Sequence, residues 1–369
     1  MIIGIDASRA VTAQRTGTEA YAYFLIHALI PLAAQQNHRL RLYFNQPPPP
    51  ALFPEAEHVE QIVIPFPRLW THLRLAVELH RRPPDIFFTP AHVIPLTYRR
   101  RSAATVHDLG YYYFPEAHPR RQLAYLRWST RHNGRSAHTL LADSQATKED
   151  LIAHEGVPPE KIHVVYPGLD PALAPVRAEA MITAVLHKYQ ITPPYFLFLG
   201  TLQPRKNLVR LIRAFAAANL PHQLVLAGKP GWLSQPILDE IHHSPFTIHH
   251  SPFVLPGYIP DADKAALLSG ATAFLYPSLY EGFGFPLLEA QACGTPVLAA
   301  NSSSLPEIAG ESALLVDPLD QEAITAALQR LAADTTLQQT LIARGLENVT
   351  RFTWEATAVR ALAALVGRE

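Results

Sequence analysis

The stretch Ala273-Phe-Leu-Tyr-Pro-Ser-Leu-Tyr-Glu281-Gly-Phe-Gly-Phe-Pro-Leu-Leu-Glu289 decides the fold of this chain. Its first residues are apolar and predict a buried strand, Ala273–Tyr276, which a loop with two glycines follows. Pro286 is typical of the first turn of a helix, so the pattern is strand, loop, helix. The N-terminus of such a helix presents free N–H groups to an anion. On these residues alone, acidic residues that merely stabilise a helix N-terminus remain an open alternative.

The same alternation of strand and helix continues in both directions along the chain. Short apolar runs predict strands at 2–6, 40–44, 61–64, 86–88, 103–106, 139–142, 162–165, 195–199, 223–227, 254–259, 273–276, 296–300 and 313–316. Longer amphipathic or apolar patterns predict helices at about 18–34, 120–134, 179–189 and 354–366. Parallel strands need helical crossovers, so the sequence predicts an α/β fold with two doubly wound, Rossmann-like halves. A proline-punctuated stretch without strands, residues 166–194, is interpreted as their connection.

Composition excludes several classes of protein. Lys and Arg total 31 and Asp and Glu total 31, and 48% of residues are hydrophobic. A disordered chain or a general nucleic-acid binder would need a large net charge, so we expect neither and no nucleic-acid partner. The single cysteine, Cys293, excludes an intrachain disulfide and a thiolate cluster. No zinc motif, P-loop or glycine-rich dinucleotide motif occurs, so we expect no cofactor and no protein-held metal.

Polar residues that follow predicted strands are the candidate functional residues, because ligands bind at the carboxyl ends of parallel strands. Arg205 and Lys206 follow strand 195–199 and suit a diphosphate, although a solvated surface pair is the alternative. His107 and Asp108 follow strand 103–106, where a histidine can hydrogen-bond a substrate hydroxyl or carry a proton. A histidine that is satisfied within the protein is the alternative there.

The loop after the first strand carries Thr16-Gly17-Thr18. A glycine at this place allows a phosphate or a sugar to approach the backbone closely. A loop without a binding role remains the alternative, because one glycine is a weak motif. We expect the ligand that these residues bind to lie in a cleft between the two predicted sheets.

Taken in chain order, Gly17, His107-Asp108, Arg205-Lys206 and Glu281-(seven residues)-Glu289 resemble the retaining glycosyltransferases of family four. The resemblance covers essentially the whole chain. It implies the GT-B fold, in which two Rossmann-like domains face a central cleft. Residues 1–170 would form the acceptor-binding domain and residues 171–351 the nucleotide-sugar-binding domain. A C-terminal helix within 352–369 would cross back and pack on the N-terminal domain.

The resemblance also implies roles for single residues. The catalytic candidates are Glu281, His107, Arg205 and Lys206, with the two cations on the diphosphate and His107 beside the donor sugar. The donor-binding candidates are Gly17, Thr18, Tyr258, Gly282, Phe283, Gly284, Phe285 and Glu289. Among these, Glu289 would bind the ribose, and the backbone near Tyr258 would bind the base. Glu281 and the loop amides around Phe283 to Phe285 would hold the sugar.

The implied reaction moves a hexose from a nucleotide-diphosphate sugar to a glycan or lipid-linked acceptor. The residues Val106-His107-Asp108-Leu109 resemble mannosyltransferase-like members, so GDP-mannose is the first expected donor, with UDP-glucose and related donors still open. A sugar-nucleotide epimerase of the same fold and a non-catalytic two-domain sugar-binding protein are the alternatives.

The N-terminal half suggests where the enzyme meets its acceptor. Arg68, Leu69, Trp70 and Arg74, with Arg81-Arg82 and Arg99-Arg100-Arg101, suit an anionic membrane or a lipid-diphosphate acceptor. A solvated surface is the alternative. No signal peptide is visible at the start, so the expected location is cytoplasmic, at the inner membrane face if that contact forms.

Overall fold

The computed structural model describes residues 1–12, 17–66, 68–242 and 252–367. The strands in this part are β1 Ile2–Asp6, β2 Arg39–Phe44, β3 Val59–Val63, β4 Ile86–Thr89, β5 Ser102–Val106, β6 Thr139–Ala142, β7 Ile162–Val164, β8 Tyr195–Leu199, β9 Gln223–Ala227, β10 Phe253–Gly257, β11 Ala273–Tyr276, β12 Val297–Ala300 and β13 Leu314–Val316. The α-helices are α1 Gly17–Gln35, α2 Ala76–Arg81, α3 Gly110–Tyr113, α4 Arg120–Ser136, α5 Gln145–Glu155, α6 Glu179–Lys188, α7 Leu208–Ala218, α8 Gln235–His242, α9 Asp261–Ser269, α10 Phe285–Ala292, α11 Leu305–Ala309, α12 Gln321–Ala333, α13 Thr335–Asn348 and α14 Trp354–Val366.

The strands form two parallel sheets. One has the order β3-β2-β1-β4-β5-β6-β7 and the other β10-β9-β8-β11-β12-β13. Strands β4, β5, β6, β11 and β12 are buried along their whole length, as parallel strands covered by helices on both faces should be. The predicted α/β class with two Rossmann-like sheets is therefore confirmed, and each predicted strand has a counterpart in these sheets.

The described chain divides into two compact units. Unit 1 contains Met1–Leu109, Arg120–Gly168 and the C-terminal segment that begins at Phe352, and unit 2 contains Gly110–Pro119 and Leu169–Arg351. The short segment Gly110–Pro119 belongs to unit 2, whereas the division predicted from the sequence keeps it with the first half. Its Tyr113 ring stacks on Tyr280 of unit 2, with ring centroids 4.9 Å apart.

The core of unit 1 joins the two ends of the chain. Helix α1 buries Leu25, Ile26 and Leu29, and α14 buries Leu362 and Leu365 in the same apolar cluster. The side chain of Thr353 caps α14 by accepting a hydrogen bond from Ala356 N. The apolar stretch around α1 is thus a buried core helix, as its sequence indicates. Among the described residues, no helix combines the length and the apolar character that crossing a bilayer requires.

The segment before β4 was not expected to be helical. A π-helical turn, Thr71–Leu75, runs directly into α2. The Trp70 side chain anchors it, because its Nε1 donates a hydrogen bond to Ile64 O at 2.8 Å and the residue is buried. The expectation that Trp70 faces a membrane together with the neighbouring arginines is therefore wrong, since this indole belongs to the core of unit 1.

Candidate functional site

In each sheet the strand order reverses once, between β1 and β4 in unit 1 and between β8 and β11 in unit 2. Ligands of doubly wound sheets bind where the order reverses, at the carboxyl ends of the strands. In unit 2, β8 leads into a 3-10 turn, Pro204–Lys206, and β11 leads into the loop that carries Glu281. Arg205 and Lys206 therefore lie just after one strand, and Glu281 lies just after the neighbouring strand of the same sheet.

These three side chains form one buried network. Glu281 Oε2 accepts a hydrogen bond from Arg205 Nη1 at 2.7 Å, and Glu281 Oε1 accepts one from Lys206 Nζ at 2.6 Å. Lys206 Nζ also donates to the Tyr276 hydroxyl at 2.9 Å, and Arg205 donates to the Tyr280 carbonyl. The side chains of Glu281 and Lys206 are each only 8% exposed. The solvated-surface alternative for this pair of cations is therefore wrong.

The charges in this network fix its protonation. Burial alone would raise the pKa of Glu281, but the charges of Arg205 and Lys206 and their hydrogen bonds lower it to about 2. Burial raises the pKa of Tyr276 well above its ordinary value, so its hydroxyl keeps its proton at neutral pH. Two cations and one carboxylate leave a net positive charge in a buried place, which suits an anionic ligand.

Backbone geometry holds the Glu281 loop in position. Glu281 N donates to Ser303 Oγ at 2.8 Å, and Ser304 Oγ donates to the carbonyl oxygens of Glu281 and Phe283. Gly284 has φ +122°, which disfavours any side chain, and a Cβ there would lie 2.9 Å from Leu305.

The glycine loop then leads directly into a helix. Gly284 caps α10, whose first two residues are Phe285 and Pro286, so strand, loop and helix N-terminus follow as predicted. Gly282 and Phe283 are buried within this loop, and the rings of Phe283 and Phe285 meet edge to face at 5.0 Å. The donor-binding roles of Gly282, Phe283, Gly284 and Phe285 stay predictions.

Two further donor-binding candidates of unit 2 have cationic neighbours. Glu289 is the fifth residue of α10, and its Oε1 lies 3.2 Å from Lys264 Nζ of α9. Tyr258 follows β10 directly, is 48% exposed, and has Lys229 Nζ 4.7 Å from its ring centroid. Their proposed contacts with ribose and base stay predictions. Among the described residues, no three His, Cys, Asp or Glu side chains are grouped for a metal ion.

In unit 1, His107 follows β5 as predicted, and both of its ring nitrogens have protein partners. Nδ1 lies 2.6 Å from Asp143 Oδ2, and Nε2 donates to the Pro90 carbonyl at 2.9 Å. Because that carbonyl can only accept, Nε2 carries a proton, and a second proton lies between Nδ1 and Asp143. Burial alone would lower the pKa of His107, but the Asp143 charge and hydrogen bond raise it. A contact from this ring to a sugar hydroxyl requires one of these bonds to open.

The first-loop candidates begin a helix. Gly17 and Thr18 are the first two residues of α1, whereas Thr16 lies outside the described residues. A Cβ on Gly17 would lie more than 4 Å from every heavy atom of the described residues, so packing against them does not require glycine there. Thr18 Oγ1 donates to Glu19 Oε2 at 3.4 Å.

Sequence reasoning assigned no role to the residues that orient the candidates. Asp143 orients His107, Tyr276 orients Lys206 and Lys264 orients Glu289. Asp143 had a usable signal, since it follows β6 as His107 follows the adjacent β5. Tyr276 had none, because an aromatic residue inside an apolar strand indicates only a core position.

Comparison with known proteins finds relatives of both halves of the chain. Residues 16–173 match the family model of glycosyltransferase family 4, and residues 187–348 match that of glycosyl transferases group 1. The chain is 31% identical over 260 residues to O-antigen chain mannosyltransferase B of Escherichia coli, spanning 69% of this chain and 67% of that protein. It is 28% identical over 229 residues to the serotype-specific mannosyltransferase WbdA of Escherichia coli, spanning 60% of this chain but only 28% of that longer one.

Solved structures with the same architecture cover almost the whole chain. Sucrose-phosphate synthase from Thermosynechococcus elongatus superposes with a TM-score of 0.74 at 23% identity, over 98% of this chain and 97% of that one. HepE from Anabaena, solved in complex with UDP and glucose, gives a TM-score of 0.71 at 18% identity, over 99% of each chain.

The chain belongs to the group 1 glycosyl transferases of glycosyltransferase family 4, and its fold is GT-B. It is therefore an enzyme that transfers a sugar from a sugar donor. The resemblance noted in the sequence is confirmed. The epimerase and the non-catalytic sugar-binding protein are not favoured, because the named relatives are transferases.

The buried network predicts how stability depends on Glu281. Glu281→Gln should lower the free energy of unfolding by about 3–5 kcal/mol at pH 7, because it leaves the buried Lys206 and the partly exposed Arg205 without their counter-charge. The folded pKa lies below the unfolded one, so the wild-type contribution is complete above about pH 5 and disappears as pH falls towards 2. Urea unfolding between pH 3 and 7 measures both effects. The control is Glu311→Gln, since Glu311 is 87% exposed beside Arg344; equal losses in the two variants would contradict the argument.

For the His107–Asp143 pair we expect the opposite dependence of stability on pH: its contribution is lost as the pH rises, whereas that of Glu281 is lost as the pH falls. Asp143→Asn should bring the pKa of His107 down, as followed by NMR of its imidazole resonances. A raised histidine pKa stabilises the fold fully below about pH 6.5, and this contribution disappears as pH rises through the folded value. The free energy of unfolding of Asp143→Asn should therefore not show this decrease as the pH rises. Asp85→Asn, at another acid of unit 1, is the control, and an unchanged His107 titration in Asp143→Asn would show that the pair does not form.

Proposed function

We propose that this glycosyltransferase is a hexosyltransferase that moves mannose from GDP-mannose to a glycan or lipid-linked acceptor, with retention of configuration. The observation that carries the proposal is the buried Arg205–Lys206–Glu281 network, whose net positive charge lies at the strand reversal of unit 2. A nucleotide diphosphate is an anion of the right kind for it. The choice of mannose is supported by the relatives named as mannosyltransferases.

The network suggests how the chemical step is helped. Cleavage of the sugar–phosphate bond builds negative charge on the leaving diphosphate. Arg205 and Lys206 are already fixed by Glu281 and Tyr276, so they stabilise that charge without reorganising. The free N–H groups at the start of α10 add a partial positive charge. These groups supply the charge that a metal ion would otherwise provide, and we therefore propose a metal-independent reaction.

Retention of configuration needs either a covalent intermediate or attack on the front face of the sugar. Glu281 is the carboxylate of the network, and its negative charge is neutralised by two cations. A carboxylate with a pKa of about 2 is a weak nucleophile. We therefore favour front-face attack in which the leaving phosphate accepts the proton of the acceptor hydroxyl, and a trapped glycosyl–enzyme would exclude this route.

A donor panel tests the proposed function directly. Purified enzyme should release nucleotide from GDP-mannose faster than from UDP-glucose, UDP-galactose or GDP-glucose, and EDTA should not change the rate. Lys206→Met should lower that rate about 10²–10³-fold, because it removes one preorganised charge contact. Lys188→Met is the matched control, since Lys188 is 56% exposed and pairs with Asp263 outside the network. Preference for a UDP-sugar would overturn the donor assignment, and an equal loss in both variants would overturn the role of Lys206.

We also propose that unit 1 binds an anionic membrane, through a surface that overlaps the expected one but does not include Trp70. Leu69 precedes the π-helical turn, Leu73 lies in it and Val77 lies in α2, and the three are 68%, 48% and 55% exposed. The side chains of Arg68, Arg74 and Arg81 flank them in sequence and are exposed. Apolar and basic residues together are typical of interfacial membrane contact.

Helix α4 extends this surface, whereas two of the expected arginines do not. The Trp128 ring lies 5.9 Å from His72, and α4 carries five arginines and no acidic residue. Trp128 and Tyr125 are 39% and 49% exposed and supply the aromatic residues that interfaces favour. Arg82 instead pairs with Glu60, and Arg101 donates to the Leu365 carbonyl, so both serve the fold.

Liposome flotation tests this contact. Wild type should float with vesicles of phosphatidylglycerol and phosphatidylcholine at low salt and be released at high salt, because the attraction to the basic residues is screened. Leu73→Ser should weaken flotation several-fold by removing part of the exposed apolar surface. Leu319→Ser is the matched control, as Leu319 is 66% exposed in unit 2. Absence of flotation at low salt, or equal flotation of wild type and Leu73→Ser, would refute the proposal.

A further inference from the structure

The strand reversal of unit 1 carries a polar cluster that no role above uses. Strands β1 and β4 pair there with Ile5 opposite Phe88, so Asp6 and Thr89 end the two strands side by side. Beyond them lie Arg9 and His92, whose side chains are joined by a bond from Arg9 Nε to His92 Nε2 at 2.8 Å. The cluster thus lies at the edge where a doubly wound sheet binds its ligand.

The cluster is held in place by the fold of unit 1. The backbone N of His92 donates to Thr89 Oγ1 at 3.1 Å, and its carbonyl accepts from Asn133 Nδ2 of α4 at 3.2 Å. Arg9 Nη1 lies 3.4 Å from Glu19 Oε1 on the first turn of α1. The side chain of Arg9 is nevertheless 47% exposed, so its remaining N–H groups are accessible to a ligand.

The contact with Arg9 determines which hydrogen bonds His92 can offer. A guanidinium can only donate, so His92 Nε2 accepts and the ring proton is on Nδ1. Burial lowers the pKa of His92, and the Arg9 charge lowers it further against the opposing effects of Asp6 and Glu19. The ring is therefore neutral at pH 7. Within the described residues, no side chain or carbonyl accepts a hydrogen bond from Nδ1, so this N–H is available as a donor.

Asp6 provides the complementary acceptor. The residue is only 2% exposed, and its Oδ1 accepts hydrogen bonds from Ser8 N at 3.0 Å and Ser8 Oγ at 2.6 Å. Its Oδ2 is buried and has no hydrogen-bond partner among the described residues. Buried oxygens of this kind are nearly always satisfied in proteins, so this atom points to a bound water that lies between Asp6 and a ligand.

We propose that this cluster, which we call the β1/β4 subsite, binds the hydroxyl groups of a neutral acceptor sugar. Arg9 and His92 Nδ1 donate to sugar oxygens, and Asp6 Oδ2 accepts a proton from one bound water that links it to the sugar. Sugar hydroxyls both donate and accept, which matches this mixture. Two acidic residues beside one cation disfavour a phosphorylated sugar. The assignment rests on the proposed function, since it names the acceptor side of that reaction.

The test separates the acceptor from the donor. Transfer from GDP-mannose is measured with methyl α-mannoside, methyl α-glucoside, methyl α-galactoside and mannose 6-phosphate as acceptors, and donor hydrolysis is measured without acceptor. Arg9→Gln and His92→Gln should each raise the KM of the preferred neutral glycoside about tenfold or more, because a charged or buried hydrogen bond is lost. The donor KM and the hydrolysis rate should stay within about twofold of wild type. Arg9→Lys should recover part of the loss, since it keeps the charge.

Controls make each outcome decisive. Arg39→Gln changes an arginine at the amino end of β2, so it lies at the end of the sheet away from the proposed subsite. It should leave the acceptor KM unchanged. Thermal unfolding identifies a variant that fails to fold, and the exposed position of Arg9 keeps that variant informative. An equal loss of donor hydrolysis, an unchanged acceptor KM in both variants, or a wild-type preference for mannose 6-phosphate would overturn the subsite. Lack of transfer to every neutral glycoside by an enzyme that hydrolyses the donor would also overturn it. A wild type that turns over no donor would instead refute the proposed function.

Discussion

Unit 2 depends on one buried carboxylate, Glu281, which lies between the buried Lys206 and the partly exposed Arg205. Removing Glu281 would leave two neighbouring cations without a counter-charge, and removing either cation would remove the excess positive charge that suits an anion, so the three side chains depend on one another. The network also connects the loop after β8 with the loop after β11, because Glu281 lies on one and its partners lie on the other. The shape of the strand reversal and the charge it presents are thus set by the same contacts.

The fold could be predicted from the sequence because buried parallel strands are short apolar runs that end in polar residues. Runs such as β8 and β11 were predicted with their observed ends, and the resemblance supplied the order of the candidate residues. What the sequence could not supply was pairing across strands. The bond between Lys206 and Tyr276 joins residues 70 positions apart, and neither residue indicates the other. The same applies to Trp70, whose place beside basic residues predicted a surface role although its indole hydrogen-bonds inside the core.

The two units share one arrangement, polar residues at the reversal of strand order, but the charges of those residues differ. Both sheets reverse their strand order once and place polar residues at the reversal. In unit 2 the side chains there carry excess positive charge and are locked to one another. In unit 1 they include a neutral imidazole, a half-exposed guanidinium and a carboxyl oxygen that has no hydrogen-bond partner in the described part of the chain. In the proposed reaction, a charged group that leaves and the neutral hydroxyls of an acceptor need these two kinds of surroundings, and each unit is proposed to supply one of them.

Helix α14 has a consequence for how the chain is made. Its side chains complete the core around α1, although more than three hundred residues separate the two helices in sequence. A growing chain therefore exposes part of the apolar face of α1 throughout the synthesis of unit 2. Unit 1 begins first but can close its core only when α14 has left the ribosome. Synthesis as far as α14 is thus a condition for the first unit to be stable, and a chain that stops before it keeps an apolar surface that chaperones and proteases recognise.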